Sequence, residues 1–127
     1  MPSYSVAVAS LAIDAPVKWT DNLLSQHQPP DILSSHRGIA RRISYHALVR
    51  LALVRQLHVR LGLGVGDAVR VAGDLLDLEG NGACSYGQLQ LAFDRATLER
   101  ELNARLVGVL ESAPAPRRGR PPRKPAT

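Results

Sequence analysis

The stretch that most constrains the fold is residues 45–61, YHALVRLALVRQLHVRL, which is long, apolar at helical spacing and closed at both ends. Leu48, Leu51, Ala52, Val54 and Leu57 recur so as to line a face of an α-helix. Ser44 just before the stretch is a good N-cap, because its hydroxyl can accept from an amide of the first turn. Gly62 and Gly64 stop the helix. A chain of 127 residues has room for one compact domain and a tail around such a helix.

Upstream, Val6, Ala7, Ala9, Leu11 and Ala12 suit a first helix, and Ile13-Asp14-Ala15 breaks it. Pro16 stands at the first position of a second helix, expected to run to about Gln26 with Val17, Leu23 and Leu24 facing inward. Pro29-Pro30 ends that helix, because proline cannot continue the hydrogen-bond ladder and restricts the residue before it. The segment from Ser34 to Ile43 is polar and then alternating, with Gly38 free to adopt a positive φ, and it reads as a small β-hairpin.

Downstream, Asp67 is placed to cap a helix reaching about Leu78, with Ala68, Val71, Ala72 and Leu75 inward. Glu79-Gly80-Asn81-Gly82 signals a turn. Gln88 to Phe93 alternates with period two, which puts Leu89, Leu91 and Phe93 on one face of a strand. That strand needs a partner, either the earlier hairpin or a second chain. Asp94 caps a last helix from Arg95 to Ser112, striped by Leu98, Leu102, Leu106 and Val109/Leu110. The expected fold is mainly α with a small β component.

Charge divides the chain differently. The net charge of +5 resides entirely in residues 113–127, where Arg117, Arg118, Arg120, Arg123 and Lys124 occur without an acid. The remaining body is neutral but polarised. Residues 36–60 hold six arginines and no acid, whereas residues 1–35 carry −2 and residues 61–112 carry −4. Three regions follow: 1–78, 79–112 and a basic, proline-rich tail from 113 expected to be disordered in isolation.

Several functional classes are disfavoured. Aromatics make up 4% of the chain, too few for a base-stacking platform. The single cysteine, Cys84, in a glycine-rich loop, cannot form an intramolecular disulfide or a thiolate metal site. His27, His36, His46 and His58 lack metal-ligand spacing, and no nucleophile, paired carboxylates or metal cluster can be assembled, so neither an enzyme nor a cofactor is expected. Gly62-x-Gly64-x-Gly66 follows a helix and lacks phosphate-loop spacing. No apolar run reaches membrane-spanning length, and Met1-Pro2-Ser3-Tyr4 has no basic region of the kind that opens a signal peptide. A cytoplasmic, nucleoid-associated protein is the expectation.

Within the tail, Arg117-Arg118-Gly119-Arg120-Pro121 followed by Arg123 and Lys124 resembles the AT-hook, a short segment that binds the minor groove of A·T-rich DNA. That narrow groove has enhanced negative potential, which suits arginines inserted along an extended chain. The resemblance implies Arg118 and Arg120 in the groove, Gly119 at its floor and Pro121 fixing the exit. Arg117, Arg123 and Lys124 would neutralise phosphates.

In the body, Val8-Ala9-Ser10-Leu11-Ala12-Ile13, Pro16-Val17-Lys18-Trp19-Thr20, Gly38-Ile39-Ala40-Arg41-Arg42-Ile43-Ser44 and Leu61-Gly62-Leu63-Gly64-Val65-Gly66-Asp67-Ala68-Val69 follow one another in a telling order. Together they resemble the winged helix-turn-helix domain of the MerR family over about residues 5–78. The resemblance implies that Lys18, Trp19, Thr20 and Asn22 of a recognition helix face the major groove, and that Arg37, Arg41 and Arg42 of a wing hold the backbone. It also implies a homodimer formed through the last helix. The sequence departs from the family at Asp21, which would repel phosphate, and at Ile43, where the wing usually has an aromatic. Trp19 reads equally as a core residue, and Arg50, Arg55 and Arg60, spaced by five, spread around their helix.

The leading expectation is thus a bacterial-type DNA-binding transcriptional regulator, reading double-stranded DNA with its body and gripping the A·T-rich minor groove with its tail. Two alternatives are an antitoxin-like or adaptor module that binds a protein partner and uses only the tail on DNA, and an architectural chromosome-binding protein.

Overall fold

A computed structural model describes residues 3–27, 32–33, 42–77 and 83–112. Five helices and two small antiparallel sheets make up the described chain. The helices are α1 (Val6–Ala12), α2 (Val17–His27), α3 (Tyr45–Leu61), α4 (Val65–Asp77) and α5 (Arg95–Ser112). The strands are β1 (Ser3–Tyr4), β2 (Ile32–Leu33), β3 (Arg42–Ser44), β4 (Ala83–Tyr86) and β5 (Leu89–Ala92).

Helix α3 has the bounds its sequence predicts. The Ser44 hydroxyl accepts from the Ala47 amide at 3.1 Å, and Gly62, at φ 73°, closes the helix in the left-handed region that a side chain would make costly. Its burial is wider than the expected stripe. Val49 and Leu53 are enclosed as fully as Leu48 and Leu51, so apolar residues surround nearly the whole helix. Such a helix is stable only when neighbours cover every side, and here α4, α5 and β3 pack around it.

Arg50 escapes that enclosure by lying against α4. Its side chain is 16% exposed and reaches 4.0 Å from Asp77, passing Gly73, where an added Cβ would stand 3.3 Å from Arg50 Nη1. Glycine at 73 therefore makes the room that the guanidinium occupies.

Helix α4 corrects one expectation. It begins before Asp67, with the Ala68 amide donating to the Gly64 carbonyl at 2.8 Å, so Asp67 lies inside the first turn instead of capping it. There its charge still meets the positive end of the helix, and it pairs with Arg70 at 3.3 Å on the surface. Ala68, Val71, Ala72 and Leu75 face inward as expected.

The sheets supply pairings that local patterns left open. β3 lies between β1 and β2, with Tyr4 opposite Ile43 on one side and Ile32 opposite Ile43 on the other. The expected hairpin is thus wider than Ser34–Ile43, and its Gly38 turn lies outside the described residues. Within the chain β5 pairs not with that sheet but with β4, through a two-residue turn at Gly87-Gln88. Cys84 accordingly stands on a strand, half-buried against the core, instead of in a loop. Leu91 and Phe93 pack inward, while Leu89, beside the turn, is 70% exposed.

Tyr86 ties this hairpin to α4, its hydroxyl donating to Asp74 Oδ2 at 2.5 Å. That acceptor, helped by Cys84 beside it, raises the Tyr86 pKa above its ordinary 10.0. Burial and the Glu99 carboxylate likewise raise that of Tyr45, whose hydroxyl lies 3.0 Å from Glu99 Oε1 and fastens α3 to α5. Helix α5 is capped by Asp94, which accepts from the Thr97 amide at 3.1 Å. Its Leu102 and Leu106 are buried in the same core as α1 and α3, whereas Val107 and Leu110 remain exposed.

Two outcomes test this packing. Leu48→Ala should cost about 2–5 kcal/mol in urea unfolding by opening a cavity, while Leu89→Ala should change stability by less than about 0.5 kcal/mol. Because both tyrosines have raised folded-state values, their contribution is present below pH 10 and lost as pH rises beyond it. Unfolding midpoints should fall in that alkaline range, and Tyr86→Phe should flatten the decline.

Candidate nucleic-acid interface

The segment resembling a DNA-reading unit is α1, the turn that follows and α2. α1 is capped by Ser5, whose hydroxyl accepts from the Val8 amide at 3.1 Å. Its far end closes with the Asp14 amide donating to the Leu11 carbonyl and the Ala15 amide to the Ser10 carbonyl. This paired arrangement needs a left-handed residue, and Asp14 supplies it at φ 59°, a conformation that aspartate tolerates better than most side chains. The Thr20 amide then donates to the Pro16 carbonyl, so α2 starts one residue after the proline.

The two helices are locked by a buried contact. Ser10 and Thr20 are 1% and 0% exposed, and the Ser10 hydroxyl donates to Thr20 Oγ1 at 2.7 Å. Thr20 is therefore withdrawn from any groove: its hydroxyl belongs to the helix–helix junction. Thr20 shares the inner face of α2 with Leu23 and Leu24, at i, i+3 and i+4, a helical spacing visible in the sequence.

Trp19 also turns toward the body. Its ring lies 5.8 Å, centroid to centroid, from His58 and is covered by the Arg55 guanidinium at 4.8 Å. The indole N–H is buried without a hydrogen-bond partner among the described residues, so this ring packs and does not reach outward. His58 Nδ1 lies 2.7 Å from the Leu63 carbonyl, which holds the imidazole against the tryptophan as a donor. Arg55 donates through Nε to the Asp14 carbonyl at 3.3 Å, connecting α3 to the turn. Arg55 and His58, spaced by three, lie on one face of α3, and that spacing is the sequence signal for their shared contact with Trp19.

What α2 exposes is a polar surface with Val17, Lys18, Asp21, Asn22, Ser25 and Gln26. Of the four residues implied for the major groove, Lys18 and Asn22 are exposed, Trp19 is half-buried against α3 and Thr20 is buried. The first turn of α2 contains no acidic side chain, so its amides are not shielded by a carboxylate there.

Arg42 is exposed on β3 and turned toward β1, donating to the Ser3 hydroxyl at 3.1 Å and the Ser3 carbonyl at 2.9 Å. Part of its hydrogen-bonding capacity therefore joins two strands. Arg37 and Arg41 lie outside the described residues, as do Arg117, Arg118, Gly119, Arg120, Pro121, Arg123 and Lys124 of the tail. Among the described residues no group of His, Cys, Asp or Glu is arranged to hold a metal ion, and no helix is long and apolar enough to cross a membrane.

The Ser10–Thr20 contact predicts a coupled pair. Thr20→Val should destabilise by about 1–3 kcal/mol by leaving the Ser10 hydroxyl buried and unpaired. The Ser10→Ala/Thr20→Val double variant should recover much of that loss, as read from a double-mutant cycle in urea.

No protein-family model, curated protein or solved structure matches this chain.

Proposed function

We propose that this protein binds double-stranded DNA and acts as a transcriptional regulator, using a winged helix-turn-helix body for the major groove and its Arg-Gly-Arg-Pro tail for an A·T-rich minor groove. One observation carries the reading of the body. The α1–turn–α2 unit is rigidly joined at Ser10 and Thr20, and it leaves a solvent-facing helix surface that presents hydrogen-bonding side chains without an acid in its first turn. Lys18 and Asn22 are the base-reading candidates on that surface, since a lysine can donate to guanine and an asparagine can pair with adenine edges. The β1–β3–β2 sheet would serve as the wing, with Arg42 as its described basic residue.

The tail contributes differently. Arg118 and Arg120 would occupy the minor groove, and the surrounding Arg117, Arg123 and Lys124 would displace counterions from phosphates. As a homodimer the protein would offer two α2 surfaces to a palindromic site. Leu102 and Leu106 already serve the monomer core, so a second copy would have to meet other side chains, with Val107 and Leu110 exposed on the same helix. A second reading, a protein-binding module with a DNA-binding tail, is favoured by the even charge of the exposed α2 surface, which carries one base, Lys18, and one acid, Asp21.

The experiment is selection of duplexes from a random pool by the full-length protein, followed by titration of variants against the winning sequence at several salt concentrations. Lys18→Ala and Asn22→Ala should each cost about 1–3 kcal/mol on that sequence and little on scrambled DNA. Arg118→Ala/Arg120→Ala should weaken all sequences and lower the salt slope by about two. Absence of any enriched sequence, or indifference to the α2 substitutions, would transfer DNA binding to the tail alone and leave the protein-binding reading.

A further inference from the structure

A concave site lies on the side of the body where the α1–α2 turn, the second half of α3 and the first half of α5 meet. It has a volume of about 320 Å3, the lower end of what small organic ligands occupy. Two kinds of surface line it. Ala52 and Leu102, 7% and 3% exposed, form an apolar base with Leu98, and Val59, 59% exposed, extends that apolar surface to the rim. Around this base stand three guanidiniums, Arg55, Arg60 and Arg105, and two carboxylates, Asp14 and Glu101.

The arginines are held there by neutral or distant partners. Arg55 is fixed by the Asp14 carbonyl and the Trp19 ring, and Arg60 by the side-chain oxygen of Gln56. Arg105 approaches the Asp14 carboxylate only at 4.0 Å, with both groups largely in solvent. A guanidinium has five N–H donors in a planar fork, so each of these retains donors for a further acceptor.

We infer that this groove binds a small organic monocarboxylate, its apolar body on Ala52, Leu98 and Leu102 and its carboxylate between Arg60 and Arg105. The charge count selects the ligand class. Three cations against two anions leave one positive charge, which a monoanion neutralises. A phosphoryl dianion or a nucleic-acid backbone would instead bring excess negative charge against Asp14 and Glu101. Planar guanidinium and planar carboxylate also match in a two-point hydrogen bond, and the apolar base gives an aliphatic chain surface to cover. The inference stands apart from the proposed DNA binding, because the groove lies under the turn and not on the exposed surface of α2.

Trp19 provides an internal reporter, being the chain's single tryptophan and lying beneath Arg55. Equilibrium dialysis of the full-length protein with radiolabelled decanoate, below its micelle concentration, measures binding directly, and Trp19 emission follows it in parallel. Saturable binding of one decanoate is expected, with decanol binding at least about tenfold more weakly for lack of the carboxylate. Arg60→Ala/Arg105→Ala should weaken decanoate about tenfold or more, whereas Arg118→Ala/Arg120→Ala in the basic tail should leave it unchanged. A far-ultraviolet spectrum and unfolding midpoint matching wild type certify that the groove variant is folded, and Arg60→Lys/Arg105→Lys, which keeps the charge but loses the fork, should fall between the two. The inference is overturned by the absence of saturable binding, by equal binding of decanol, or by decanoate binding that survives the groove substitutions. Loss of duplex DNA affinity in the groove variant without any decanoate binding to wild type would assign these arginines to nucleic acid and overturn it as well.

Discussion

The fold depends on the enclosure of α3. Between Ala47 and Leu57 buried apolar residues nearly encircle the helix, so neighbours must cover it there, and each methylene removed from solvent contributes about 0.8 kcal/mol. The surrounding elements are explained by what they cover: Ala68, Val71, Ala72 and Leu75 of α4 on one side, Leu102 and Leu106 of α5 on another, and Ile43 of β3 at the start. The polar side chains of α3 leave this enclosure by different exits. Arg50 runs across Gly73 toward α4, Arg55 runs over Trp19 to the turn, and Tyr45 reaches Glu99 on α5. Long stems and polar ends allow these residues to pack and still reach water or a partner.

That enclosure also fixes the surface offered for function. Trp19 and Thr20 are drawn inward, one against Arg55 and His58 and the other against Ser10, so α2 has a single orientation and turns Lys18, Asp21 and Asn22 to solvent. A buried, satisfied hydroxyl pair is costly to break on one side only. The same contacts hold Asp14 in its left-handed turn and line up its carbonyl with Arg55, so the turn, the candidate DNA-reading helix and the arginine-lined groove share one scaffold.

Local chemistry made much of the helical framework legible. Ser44, Gly62, Asp94 and the Ile13-Asp14-Ala15 break each act within one helical turn, and their elements begin and end where those residues indicate. Asp67 misled because an acid stabilises a helix inside the first turn as well as at the cap. The strands were harder. β1 is two residues long and pairs with β3 across some forty positions, and β4 is recognisable chiefly by the partner it finds in β5. Pairing at that range is decided by burial of both strands against a common core, which no short window contains.

For the candidate site the division is similar. The sequence by itself determined the basic tail with its Arg-Gly-Arg-Pro centre, the neutral and polarised body, and the placing of Lys18, Trp19, Thr20 and Asn22 on one short helix, because composition and spacing are properties of the chain alone. Only the tertiary structure decided which of those four face outward and which are spent on packing. It alone brought Arg55, Arg60 and Arg105 together around Ala52 and Leu102. The reason is physical: helical periodicity defines faces, but which face is buried depends on the neighbour that covers it, and α3 and α5 arrive from distant parts of the chain.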